Sequence, residues 1–233
     1  MLEPVEINNR YIYPFKDTEQ FLSQIESYQG ILIAIGAEKL LNPDEELISI
    51  INNNIAYSDG FGSVYALKRK GHSAAKIPGA SFWLDIVNKF HESKTFYILG
   101  AKEEVLNDTL VKLKTEFPDI NIIGSHNGYY QNEEKIIEDI ISKKPDIVFT
   151  ALGSPKQEFL MSKLKKRHQA LYMGLGGSFD LYTGKAKPVP DWWNKVFKWE
   201  GLYRLLNDIT NIKRIKRQKI VFKYFSYLIQ GKI

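Results

Sequence analysis

The chain has 233 residues, 44% hydrophobic and 13% aromatic, enough to bury a substantial core as one domain with an appendage. It has no cysteine, which excludes disulfides, thiolate nucleophiles and cysteine metal sites and fits a cytosolic setting. The net charge of +5 conceals an asymmetry: from Lys185 onward 12 Lys/Arg face 3 Asp/Glu, or +9, leaving −4 for residues 1–184.

Taken in chain order, the pattern predicts a strand at 31–36 (ILIAIG), a helix at 43–53, a strand at 54–58, and helices near 62–70 and 80–91. Further strands are expected near 95–99, 120–124, 146–151 and 170–174, separated by helices near 102–116, 131–143 and 155–167. Strands alternating with helices at this spacing predict an α/β fold, a mostly parallel, Rossmann-like sheet covered by helices on both faces. The composition shifts near Gly184, where KAKPVPDWW brings two prolines and two tryptophans, so residues 1–184 read as the α/β domain and 185–233 as a helical, basic appendage.

The segment 146–184 contains two apolar runs that each stop at a glycine turn, DIVFTALGSPKQEF and LYMGLGGSFDLYTG. Parallel strands bring their carboxyl ends to a common edge where ligands bind, so Gly153, Gln157, Gly176, Gly177 and Asp180 are expected near one another. Gln157 and Glu158 open a helix whose N-terminus favours an anionic ligand, or belong to ordinary capping with Ser154 as N-cap and Pro155 as the first helical residue. Asp59, in YSDGFGS, follows a buried strand and precedes a helix, a position that suits either a general base or the N-cap of that helix. The GLGGS turn alone is a weak signal for a nucleotide or sulfonium cofactor, and no acidic residue follows about 20 residues on as a dinucleotide site expects.

The four histidines are scattered, with no HExxH arrangement and no Asp-x-Asp triplet, so neither a required metal nor a cofactor is expected. A departing diphosphate would then be met by Arg, Lys and backbone N–H groups, with Arg204, Arg214 and Arg217 as candidates and a solvated basic face as the alternative. In the tail, 212–219 (IKRIKRQK) is basic and 220–229 (IVFKYFSYLI) apolar and aromatic, segregated along the length rather than around one helical face. That order suits a membrane surface better than nucleic acid. The N-terminal MLEPVEINNRYIYPF has neither a basic start nor a continuous apolar core, and no run approaches the roughly 20 apolar residues of a spanning helix, so a soluble or peripheral protein is expected. The oligomeric state is left open, a homo-oligomer included.

YSDG, KIPG, the glycine of FYILGAKEE (Gly100), NGYY, PDIVFTALGSPKQE, GLGGSFDLYTG, and EGLYRLL followed by KRIKRQ together resemble the WecG/TagA/CpsF glycosyltransferase family, in order and over most of the chain. The likeness is nearest to the branch that transfers N-acetylmannosaminuronic acid. It implies a bacterial enzyme that moves a sugar from a UDP donor to a polyprenyl-diphosphate-linked saccharide on the inner face of the cytoplasmic membrane, for cell-surface polysaccharide. By resemblance, Asp59 is the base of an inverting, metal-independent displacement and Gln157 lies in the active-site pocket. Asp180 lies near the nucleotide, and Arg204, Arg214 and Arg217 close over the diphosphate.

The chain also departs from the family. Ala34-Ile35-Gly36 stands where Thr-x-Asn is common, removing two polar contacts to the sugar. Lys76 replaces the arginine before the P-G turn, Ser81 the aspartate after it, and Pro188-Val189-Pro190 an Arg-Ala-Pro segment. The basic pair after Arg204 is displaced by about three residues, close to one helical turn.

Overall fold

In a computed structural model of the chain, the structure describes residues 2–187, 189, 190, 193, 203, 205, 206 and 212–230, without the side chains of 213, 214, 216, 217 and 229. A hairpin comes first, β1 (Val5–Ile7) and β2 (Arg10–Ile12), paired antiparallel. Its two-residue turn is Asn8-Asn9, both at positive φ (49° and 63°), the twist that a tight hairpin turn requires and that asparagine tolerates. Helix α1 (Thr18–Gln24) follows, its N-cap Asp17 accepting from the Gln20 N–H at 2.7 Å. Neither the hairpin nor α1 is expected from the pattern above; three-residue strands and a seven-residue helix are too short to display a period.

The central sheet contains β3 (Gly30–Ile35), β4 (Ile55–Ser58), β5 (Thr95–Gly100), β6 (Asn121–His126), β7 (Ile147–Ala151) and β8 (Leu171–Gly174). Every pairing is parallel, in the order β4-β3-β8-β7-β5-β6. The period of two decides the layering. Ile31, Ile33, Ile35, Ala56, Tyr97, Leu99, Val148 and Tyr172 enter one apolar cluster, while Leu32, Ile55, Tyr57, Phe96, Ile98, Phe149, Leu171 and Met173 enter the other.

Helices α3 (Glu45–Asn52), α4 (Phe61–Arg69), α7 (Glu133–Lys143) and α8 (Lys156–Lys165) cover the first cluster, with a short α2 (Ala37–Leu41) that the sequence pattern does not anticipate. On the other side lie α1, α5 (Gly79–Phe90), α6 (Glu103–Glu116) and α9 (Ser178–Tyr182). The α/β architecture expected from sequence is the observed one, with element ends within a few residues of expectation. The chain's last described helix, α10 (Ile212–Ile229), packs on α2 and α4. Its buried positions, Gln218, Tyr224 and Leu228, with half-buried Val221 and Phe225, recur at helical spacing. Burial thus follows the helical period, while polarity does not divide cleanly around the helix, since the polar Gln218 is buried and Phe222 is exposed.

Trp83 anchors the α5 side: it is fully buried, and Phe149, Phe179 and Tyr182 meet its ring edge-on at centroid distances of 5.6, 5.5 and 5.1 Å. Trp83→Ala is expected to lower the unfolding free energy by about 3–5 kcal/mol, measured by urea denaturation.

Candidate active site

Along the carboxyl edge of the sheet, the ends of β3, β4, β5, β7 and β8 line one cleft of about 1030 Å³. That volume is at the upper end of the range for small-molecule sites, about 300–1,000 Å³. It opens where chain directions diverge, since α8, after β7, packs on one face and α9, after β8, on the other. Gly153, Gln157, Gly176, Gly177 and Asp180 all lie on its wall, as the common-edge expectation requires, and Asp59 and Lys76 lie there with them. Gly100 does not; it sits one residue behind, at φ +125° against the Ala151 backbone, and lets Ala101 form the wall. Arg204 lies outside the described residues, and Arg214 and Arg217 stand on α10 with their side chains outside them.

Asp59 follows the last residue of β4. The two readings of this carboxylate resolve in an unforeseen way: α4 is capped by Gly60, with no side-chain hydrogen bond, whereas Asp59 Oδ1 accepts the Gly79 N–H at 2.7 Å, at the start of α5. One carboxylate oxygen therefore restrains the KIPG loop against β4 while the residue borders the cleft. Beneath it, Tyr57 is completely buried, and its hydroxyl has no hydrogen-bond partner among the described residues. Burial, and then the negative charge of Asp59, hold this phenol well above the ordinary tyrosine range, so it remains protonated. A Cβ on Gly79 would stand 3.0 Å from that hydroxyl and 3.8 Å from Asp59 Oδ1, so the glycine allows the loop to approach.

At the β7 and β8 ends, Gln157 is 4% exposed and its amide is occupied. Its Oε1 accepts from the N–H groups of Gly153 and Gly176, both at 3.1 Å, and its Nε2 donates to Glu158 Oε1 at 3.2 Å. Gly174 has no side chain because a Cβ there would collide with the Gln157 amide. Ser154 is not an N-cap: the Ser154–Pro155 peptide is cis, Pro155 is the cap, and no side chain caps α8. The Gln157 side chain bridges two glycine turns from different strands, and the N–H groups of Gly153 and Gly176 are already engaged by it.

Two further residues complete this network. Glu158, 1% exposed, meets the Lys39 ammonium at 3.0 Å, and Lys39 also donates to the Ala34 carbonyl at 2.8 Å. Glu158 Oε2 is buried without a hydrogen-bond partner among the described residues. Lys39 lines the cleft beside Gly36, where a Cβ would have nothing within 4 Å. Sequence reading missed Lys39 because nothing local in AEKLLNP distinguishes it from a surface lysine; the β3-β8-β7 order brings it to Glu158. Tyr129, Gln218, Val221 and Phe225 are also unforeseen parts of the wall, the last three from α10. Among the described residues, no group of three His, Cys, Asp or Glu side chains converges.

The parallel α/β sheet thus presents one large cleft at its carboxyl edge, with the carboxylates of Asp59 and Asp180 and the glycine turns after β7 and β8 on its wall, the arrangement of a ligand-binding α/β enzyme site. Comparison with protein-family models matches the Glycosyl transferase WecG/TagA/CpsF family over residues 11–232, and the chain belongs to that family. It is therefore a glycosyltransferase of cell-surface polysaccharide synthesis, acting with a sugar-nucleotide donor and a lipid-linked acceptor.

Lys39→Met strands a buried carboxylate and is expected to cost about 3 kcal/mol, at the low end for a broken buried pair because the lysine side chain keeps 13% exposure. The double change Lys39→Met with Glu158→Gln should recover most of that loss when the three proteins are compared in urea titrations.

Proposed function

We propose that this protein transfers N-acetylmannosamine, or its uronic acid, from UDP to a saccharide carried on polyprenyl diphosphate, by an inverting and metal-independent displacement. The observation that carries this reading is Asp59 on the wall of the same cleft as the 153 and 176–177 turns. A carboxylate so placed serves an acceptor hydroxyl entering from the β4 side, while the donor lies along the glycine turns with its nucleotide toward Asp180. The acceptor oxygen attacks the anomeric carbon, its proton passes to the Asp59 carboxylate, and the bond from that carbon to the UDP oxygen breaks with its electron pair leaving on UDP. Attack from the face opposite UDP inverts the anomeric configuration.

The leaving diphosphate develops charge that cations must meet in place of a metal. Lys76 borders the cleft, and α10 reaches it through Gln218, Val221 and Phe225. Arg214 and Arg217 belong to the same helix, and with Arg204 they are assigned the diphosphate. Gln157 acts by holding the two glycine turns at a fixed separation, since its amide oxygen is taken up by both. Residues 1–184 serve as the catalytic domain, with 185–233 as the segment for membrane association and closure over the site. The protein works peripherally on the inner face of the cytoplasmic membrane, without nucleic acid; among the described residues no helix is long and apolar enough to cross a bilayer.

Asp59→Asn keeps the size of the side chain and removes the base. Turnover with a UDP-sugar and a short-chain lipid-diphosphate acceptor should fall by about 10²–10⁴-fold, with UDP affinity by calorimetry retained; transfer at the wild-type rate would discard the base assignment. Turnover should also be unchanged by EDTA, and a loss restored by Mg²⁺ would remove metal independence.

A further inference from the structure

Helix α4 turns large aromatic groups toward solvent. Its inner face is Ser63, Ala66 and Leu67. On the outer face Phe61 is 44% and Tyr65 41% exposed, one helical turn apart, with their rings stacked at 6.1 Å between centroids and 25° between planes. The same helix ends in exposed Lys68, Arg69 and Lys70, with Arg69 also donating to the Leu228 carbonyl of α10. A single exposed ring needs no explanation, but a stacked pair continued by a basic run on one short helix does.

Helix α10, which packs on α4, also carries exposed aromatic and basic residues. Helix α10 is held on α4 by the Tyr224 hydroxyl, which donates to the Gly62 carbonyl at 3.0 Å. It adds Phe222, 57% exposed, and exposed Lys219 and Lys223. Phe61, Val221 and Phe225 also line the cleft, and Phe61 stands two residues after Asp59. Phe61 thus stands at the rim of the cleft and Tyr65 stacks beyond it on the same helix, followed by exposed Lys68, Arg69 and Lys70. Rings at headgroup depth with lysines and arginines reaching anionic groups is the chemistry of a membrane interface; the charge excludes a purely apolar partner, and the rings exclude a purely electrostatic one.

We propose that the outer face of α4, with the adjoining part of α10, docks on an anionic bilayer surface and sets the mouth of the cleft at headgroup level. Its purpose rests on the proposed transfer to a lipid-linked acceptor: the chain then needs no movement out of the bilayer for the acceptor saccharide to reach Asp59. Membrane association is thereby shared between the appendage and a helix of the α/β domain.

The test is sedimentation of the whole 233-residue chain with vesicles of phosphatidylcholine, alone or mixed with phosphatidylglycerol. Wild type is expected to bind the mixed vesicles. The variant Phe61→Ser/Tyr65→Ser should bind them at least tenfold more weakly, with its melting temperature held, and Phe61→Trp/Tyr65→Trp should restore binding. Lys68→Gln/Lys70→Gln should reduce the preference for phosphatidylglycerol. Wild-type indifference to vesicles, or equal binding by the serine variant, overturns the proposal. So does a serine variant that binds vesicles fully but loses self-association in sedimentation velocity, which would assign the face to a second copy of the chain. Vesicle binding requires no turnover; a wild type that docks through α4 yet transfers no sugar would reject the proposed reaction and leave the docking face standing.

Discussion

The constraint on which the rest of this structure depends is that its central strands are buried on both faces. Parallel strands cannot be joined by tight turns, so each is followed by a crossover, and the crossovers cover the sheet. Alternate residues of β3, β5, β7 and β8 supply two separate apolar clusters, and helices lie over each. Once both faces are closed, the carboxyl edge is where five strand ends can meet a ligand, and the cleft lies there. The glycine turns, Asp59 and Lys76 converge although they come from distant parts of the chain.

Within the cleft, order comes from polar groups under its floor. Gln157 joins the β7 and β8 turns, Glu158 joins Gln157 to Lys39, and Lys39 returns to the end of β3 at Ala34. A buried ion pair contributes little net stability, because desolvation offsets much of its attraction, but losing one partner is expensive. What it provides here is geometry: three strand ends share one hydrogen-bonded assembly. On the other side of the cleft, Asp59 holds α5 through Gly79, so the proposed base is itself anchored and its orientation need not be purchased from substrate binding.

The appendage and the α/β domain are not energetically separate. Tyr224 and Leu228 of α10 are as buried as the sheet residues with which they share a cluster, and α10 contributes Gln218, Val221 and Phe225 to the cleft wall. In the proposed reaction, the substrates span from the strand ends to this helix. The proposed membrane face on α4 lies beside the same junction, so catalysis and membrane contact involve neighbouring parts of one surface.

Much of this was legible in the chain. Strand and helix periods, the glycine turns after β7 and β8, and the family motifs were sufficient for the fold class, the family and the grouping of Gly153, Gln157, Gly176, Gly177 and Asp180 on one edge, because they are local patterns governed by local sterics and burial. The short elements β1, β2, α1 and α2 were not legible, since they hold too few residues to express a period. The pairing of Lys39 with Glu158, the bond from Asp59 to α5 rather than α4, and which residues of α10 face the cleft, Gln218, Val221 and Phe225, were decided only by the tertiary structure. Each joins segments far apart in sequence, and such contacts follow from strand order and helix packing, which no single segment encodes.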